Sequence, residues 1–148
     1  MTLQRHLAER LDADADRRAL AFYDRSRTAT WISWGDLLAG AAGAAGTLAE
    51  AGARRGEPCV IVAGNDRFSA EALLGVLMLG GVPLLMAPPS IQGANSSLPG
   101  ILAGIVDRVA PAVVVAADPK GAPVDQLAVH HPEVRFLIGR DDLPATTG

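Results

Sequence analysis

The sequence has little with which to build a reactive centre. It holds one cysteine, Cys59, which excludes an internal disulfide framework and a cysteine-based zinc site. It holds one lysine, Lys120, and aromatic residues make up only 4% of it. No surplus of positive charge exists: the formal net charge is −3. Nucleic acid and anionic lipid call for clustered basic residues, so both are disfavoured as partners. The arginines are scattered, and the pairs Arg17-Arg18 and Arg54-Arg55 read as solvated helix ends. The N-terminal stretch MTLQRHLAERLDADADRR alternates charge and lacks the apolar core of a signal peptide. The uncharged stretch Ala72 to Gln92 is interrupted by Gly80-Gly81, Pro83 and Pro88-Pro89, which argues against a membrane span. A cytoplasmic protein without a membrane-spanning segment is expected.

What is present is a globular composition, 49% hydrophobic and 20% charged over 148 residues, the length of one domain. Leu3, Leu7 and Leu11 predict a short first helix with one apolar stripe. Ala19–Asp24 and Thr28–Trp34 are rich in aromatic and β-branched residues and predict a hairpin. Leu37, Ala41, Ala44 and Leu48 then recur at helical spacing, with Leu38 and Ala45 widening the stripe. Gly52 or Gly56 ends this helix. Gly40, Gly43 and Gly46 lie off the stripe. They are read as drift in an alanine-rich segment, the other reading being a close backbone approach on that side.

From Pro58 onward strands and helices alternate. Cys59–Ala63 is a continuous apolar strand of the kind buried on both faces. Asn65 or Asp66 caps the following helix, which runs to Leu79 and stops at Gly80-Gly81. Beyond Glu71 this helix is apolar almost all round, so Leu73, Leu74, Leu77 and Leu79 are expected to need cover on more than one side. Val82–Ala87 is a second buried strand, with Pro83 at its start where a missing donor is tolerable. Ser96 or Ser97 caps a third helix whose stripe is Leu98, Ile101, Leu102, Ile105, Val106 and Val109. Ala112–Ala117 is a third strand, Leu127 to His130 a short helical piece, and Val134–Gly139 a fourth strand. The expected fold class is α/β: a mostly parallel sheet flanked by helices, with a short N-terminal β-hairpin. The expected organisation is one subdomain over 1–148. Residues 1–57 form the first helix, hairpin and first long helix, 58–139 the βαβ region, and 140–148 a tail.

Ligands in open α/β sheets bind beyond the carboxyl ends of the strands. Those ends are Gly64-Asn65-Asp66, Ala87-Pro88-Pro89 and Ala117-Asp118-Pro119. Capping accounts for Asn65 and Asp66, and a turn accounts for Asp118-Pro119. His130-His131 reads as exposed loop histidine, since adjacent residues point apart and no third ligand clusters in sequence; His6 reads as a surface residue. Pro119-Lys120-Gly121 lacks the glycines and hydroxyls that a phosphate cradle needs, so Lys120 reads as a surface lysine. Cys59 reads as a small core hydrophobe. No residue is assigned a catalytic, cofactor-binding or metal-binding role, and a substrate-contacting residue cannot be named.

The stretch Leu11 to Pro119 nevertheless resembles the N-terminal portion of adenylate-forming enzymes, which include acyl-CoA synthetases, fatty acyl-AMP ligases, luciferases and peptide-synthetase adenylation domains. Ser33, Trp34, Asp36 and Leu37 match that family's early strand-to-helix pattern, and Gly56-Glu57 stands where Gly-Asp is usual. GNDRFSAEALLGVLMLGGVPLLMAPP resembles its second core motif, with Gly80-Gly81 in place of Ala-Gly. Pro88-Pro89 and the spacing lean toward the fatty acyl-AMP ligase branch. The family's chemical motifs have no counterpart here. Missing are the Ser/Thr-Gly-rich loop ending in Pro-Lys-Gly, Tyr-Gly-x-Thr-Glu, the ribose-binding aspartate and the C-terminal lysine. The resemblance therefore implies a scaffold portion of an acyl-activating ligase, inert alone, whose complete parent uses ATP and Mg²⁺. The implied partners are the remainder of the enzyme, coenzyme A or an acyl carrier protein, and a second copy meeting an exposed apolar face. A truncated piece, a proteolytic fragment or a split-off subdomain is expected. A non-catalytic docking module derived from the same fold, and an unrelated nucleotide-binding domain, remain as alternatives.

Overall fold

The computed structural model describes residues 2–87, 98–117 and 124–143. Among the described residues twelve elements follow one another. Helix α1 (Leu3–Asp14) leads into β1 (Arg18–Tyr23) and β2 (Ala29–Ser33), which pair as an antiparallel hairpin. Helix α2 (Trp34–Glu50) precedes β3 (Pro58–Val62), α3 (Arg67–Leu79) and β4 (Val82–Met86). Then come α4 (Leu98–Val109), β5 (Val113–Ala116), α5 (Val124–His130), β6 (Arg135–Ile138) and the short α6 (Gly139–Asp142). The second sheet is parallel throughout, in the order β4-β3-β5-β6. The α/β class and the N-terminal hairpin expected from the sequence are both present.

The alternation of side chains along a strand divides the core in two. Cys59, Ile61, Val113 and Val115 point to the face covered by α2 and α3. Val60, Val62, Val114 and Ala116 point to the face covered by α4 and α5, where Leu102, Val106 and Leu127 are buried. A strand buried on both faces must be apolar at every position, which is why PCVIV and VVVA read as continuous runs. Helix ends follow local chemistry. Ser33 Oγ accepts from the Asp36 N–H at the start of α2, and Gly80, at φ 73°, ends α3 in the left-handed conformation that glycine tolerates best. The caps read at Ser96 or Ser97 and the Pro88-Pro89 exit lie outside the described residues.

Edge strand β4 is fitted to its place. Val82 N–H donates to Glu57 O, and Met86 O accepts from Ala63 N–H, so alternate residues turn toward β3. Pro83 and Leu85 therefore carry the backbone positions that face outward. Proline has no N–H to offer there, which blunts the edge as a template for strand pairing.

Three expectations are corrected. Val82–Ala87, expected to be a buried strand, forms the edge strand β4, with Val82 and Leu85 exposed, because only one of its sides meets a neighbouring strand. Of the stripe on α1 only Leu7 is buried, while Leu3 and Leu11 are 45% and 42% exposed. The glycines of α2 are not all drift. A Cβ on Gly40 would overlap the Glu71 carboxyl group, and a Cβ on Gly75 of α3 would meet Ala41 O, Ala44 Cβ and Ala45 N of α2 at 3.0 Å. Close approach of the two helices requires small residues at Gly40, Ala41, Ala44 and Gly75. Gly46, by contrast, has nothing within 4 Å of a would-be Cβ. The approach also supplies cover for α3, whose Leu73, Leu74, Leu77 and Leu79 are all half-buried. Gln4 Nε2 of α1 donates to Leu77 O at 3.1 Å on the same helix.

These two kinds of glycine separate in a stability measurement. Gly75→Ala is expected to destabilise by about 1–3 kcal/mol, since its contacts are backbone atoms that cannot yield. Gly46→Ala is expected to stabilise by up to about 1 kcal/mol through helix propensity alone. Urea denaturation of both variants checks the sign of each.

Candidate functional site

The connection from β3 to α3 lies at the carboxyl end of the central sheet, where the sequence places its first ligand candidates. Asp66 is the N-cap of α3: its Oδ1 accepts from Ser69 N–H at 2.8 Å. Ser69 Oγ in turn accepts from Gly64 N–H at 2.9 Å. The loop thus uses its polar atoms on itself, and Asp66 is the capping residue of the two proposed. Asn65 is exposed beside it. Ser69 was not singled out by sequence, although a serine three residues after a capping aspartate is a readable signal.

The charged centre of the molecule lies one turn further along α3. Glu71 is 2% exposed, yet it carries two guanidinium partners. Arg67 Nε meets Oε1 at 2.6 Å, and Arg140 of α6 meets Oε2 at 2.6 Å. Arg67 also reaches Asp36 O of α2 at 3.4 Å. The Arg140 guanidinium lies 5.6 Å from the Phe68 ring centroid. Both arginine side chains stay partly in water, at 36% and 42% exposed. A buried carboxylate is tolerated when hydrogen-bonded cations satisfy both oxygens, and here they do. The cluster joins α2, α3 and α6. Sequence reasoning missed it because Arg140 is 69 positions away from Glu71. The i,i+4 pairing of Arg67 with Glu71 was the only local signal.

The remaining candidates are placed as follows. Cys59 is buried, and burial together with the nearby Glu57 charge raises its thiol from 9.0 to about 11. A thiol held protonated against the core is no nucleophile. His131 lies in the loop after α5, as expected, but is half-buried rather than exposed: Nε2 is 3.0 Å from Asp107 Oδ1 of α4, and Nδ1 is 3.5 Å from Glu133 Oε1 in the following turn. The carboxylates address opposite ring nitrogens, so they do not converge on one point. Among the described residues no group of three His, Cys, Asp or Glu could hold a metal ion. His6 is exposed and sits 3.9 Å from Glu9. Arg54 donates to Ala49 O and Ala53 O and so finishes α2, as a helix-end arginine should. Arg17 and Arg10 both bond Asp14, and these hydrogen bonds lower its carboxyl pKa. Arg18 lies over the Trp31 ring at 4.8 Å. Asp118, Pro119 and Lys120 lie outside the described residues.

A shallow groove of ≈ 500 Å³ runs between the end of α2 and edge strand β6, lined by Thr47, Glu50, Phe136, Leu137 and Asp142 among others. Its lining mixes polar and apolar groups without a nucleophile paired to a base.

The family model described as "AMP-binding enzyme" matches residues 7–147. No curated protein matches the chain. Solved structures with the same fold include fatty acyl-adenylate ligase from L. pneumophila, in complex with acyl adenylate and pyrophosphate. It has TM-score 0.75 and 18% identity, covering 97% of this chain and 24% of that one. Acetoacetyl-CoA synthetase from Streptomyces lividans gives TM-score 0.76 and 21% identity, covering 93% of this chain and 22% of that one. O-succinylbenzoate coenzyme A synthetase from Bacillus subtilis, in complex with ATP and magnesium ion, gives 0.69 and 17%, covering 93% and 33%. The chain spans between about a fifth and a third of the length of these relatives.

The carboxylate with two cations makes a non-additive prediction. Arg67→Met and Arg140→Met should each cost about 1–2 kcal/mol, because Glu71 retains one partner. The double variant strands a buried charge and should cost about 3–5 kcal/mol, more than the singles added. A double-mutant cycle by chemical denaturation reads the coupling.

Proposed function

Because this chain belongs to the AMP-binding enzyme family, we propose that it is the N-terminal scaffold portion of an ATP-dependent, AMP-forming acid ligase. The type is fatty acyl-AMP ligase or acyl-CoA synthetase, and the chain performs no adenylation by itself. The observation that carries this reading is the family match over nearly the whole chain, set against relatives about three to four times its length in which the rest of the machinery resides. The carboxyl end of β3 agrees with a supporting role, since Gly64, Asp66 and Ser69 are bonded to one another.

In such a ligase a substrate carboxylate attacks the α-phosphate of ATP and pyrophosphate leaves. Catalysis there is chiefly positioning and charge neutralisation, to which bound Mg²⁺ contributes positive charge. The described residues fit no magnesium site of their own. This portion contributes rigid backing: a parallel sheet closed on one face by α2 and α3 and fixed at its corner by Glu71. It carries no catalytic residue in this reading. The activated acyl group passes to coenzyme A or to an acyl carrier protein, in the cytoplasm and in the service of fatty acid metabolism. No helix among the described residues is long and apolar enough to cross a membrane.

The exposed aromatic side chains of the hairpin, Tyr23 at 60% and Trp31 at 48%, favour one second reading, a docking module with no enzymatic remainder. A reading frame that closes near Gly148 would support it, and one that continues into a serine-, threonine- and glycine-rich loop would support the ligase portion.

The assay is carboxylate-dependent exchange of labelled pyrophosphate into ATP by the 148-residue chain with a series of fatty acids. No exchange above the protein-free rate is expected, and exchange that depends on the acid would overturn the proposal. Val82 and Leu85, 47% and 56% exposed on β4, leave apolar surface for a second copy. Light scattering at rising concentration is expected to show a dimer that Leu85→Lys dissociates. A strict monomer at high concentration contradicts the dimer.

A further inference from the structure

We propose that Gly139–Leu143 is a hinged strap, which opens and closes independently of the sheet with the Arg140–Glu71 pair as its catch. This inference concerns the chain's own dynamics and stands whether or not the ligase reading holds. The hinge is Gly139, whose φ of 71° turns the backbone sharply off β6. A Cβ there would meet nothing closer than Ala117 O at 3.6 Å, so the position needs glycine for its dihedral rather than for space. From the hinge the strap is held to the body at two points. Arg140 grips Glu71 Oε2 and lies over Phe68, and Leu143, 2% exposed, plugs the core cluster that contains Phe68, Ala72 and Cys59. Its local bonds include Leu143 N–H to Gly139 O at 3.2 Å and Ile138 N–H to Asp142 Oδ2 at 2.8 Å. A single isolated turn of helix does not persist once its tertiary contacts are lost.

The charge arrangement is what makes this a catch rather than a nail. When Arg140 swings out, its side chain, already 42% exposed, completes its hydration, and Glu71 keeps Arg67. Opening therefore strands no buried charge, the penalty that would otherwise bind the strap to global unfolding. Opening also has a consequence for shape. Asp142 and Leu137 form part of the wall of the ≈ 500 Å³ groove, and Leu137 packs against the cluster that Leu143 plugs. With the strap out, the groove gains an apolar floor.

Thiol labelling tests the inference. In the wild-type chain Cys59 reports global unfolding; in a Cys59→Ser, Leu143→Cys chain the introduced thiol reports the strap. The introduced thiol is expected to label at least 100-fold faster than Cys59, with much weaker dependence on denaturant. Arg140→Gln should raise strap labelling about tenfold or more. Arg67→Gln should accelerate Cys59 labelling without accelerating the strap, since Arg67 holds Glu71 in the open and closed forms alike. Equal rates and equal denaturant slopes for the two thiols, or equal effects of the two arginine substitutions on the strap, would overturn the proposal. Should the double variant not fold, amide exchange in the wild-type chain decides the matter. Ile138 and Leu143 should exchange well before Val60 and Ile61 and with a shallower denaturant slope, and simultaneous exchange refutes the strap.

Discussion

The constraint on which this structure depends is the distance between α2 and α3. These helices make the most extensive contact among the described elements, and they can do so only because Gly40, Ala41, Ala44 and Gly75 present almost no side chain to each other. Two helix backbones brought this close leave room for one large polar group, and Glu71 occupies it, opposite Gly40. Ordinary packing would fill such a seam with leucine. Here the seam receives a carboxylate, and the need to neutralise that carboxylate recruits Arg67 from the same helix and Arg140 from the far end of the sheet. Steric permission at glycine and electrostatic demand at glutamate are thus two halves of one arrangement.

That arrangement decides what the rest of the chain can do. With α2 and α3 locked over one face of the sheet, and α4 and α5 over the other, all four strands are fixed in register with both faces largely closed. The loop after β3 is bound into the helix cap of α3, and the thiol on β3 is held neutral against the core. Packing of this kind suits the scaffold role proposed above, because a positioning element that relaxes forfeits much of the advantage of proximity.

The sequence made the regular elements readable for a physical reason. Strands buried on both faces must be apolar at every position, and helices that cap a sheet must repeat their apolar residues, so Cys59–Ala63, Ala112–Ala117 and the stripe of α4 announced themselves. The family resemblance came from the same places, around Ser33–Leu37 and Gly80-Gly81, where a helix start and a helix stop demand particular residues. Illegible were the features that depend on distance in space. Gly40 in an alanine-rich helix resembles drift until the carboxylate opposite is known. Arg140 resembles a tail residue until its turn at Gly139 aims it at α3. His131 resembles an exposed loop histidine until α4 delivers Asp107 to one side of its ring. Gly139 itself was read as the end of a strand and is instead the first residue of a helical turn. Local chemistry writes itself into neighbouring residues, and long-range electrostatics does not.

The edges of the sheet show the same division of labour between what is closed and what is left open. Strand β4 turns Pro83 outward, so one of its two outward positions has no donor, while Val82 and Leu85 remain exposed as side chains. Strand β6 has its outward Ile138 N–H taken by Asp142. Both edges are therefore poor templates for adding a strand, yet β4 is a good apolar surface. Contact at that edge must come chiefly from side-chain packing, which is how one subdomain seats against another without merging their sheets. A platform that resists strand addition and offers apolar side chains is suited to being covered by further protein.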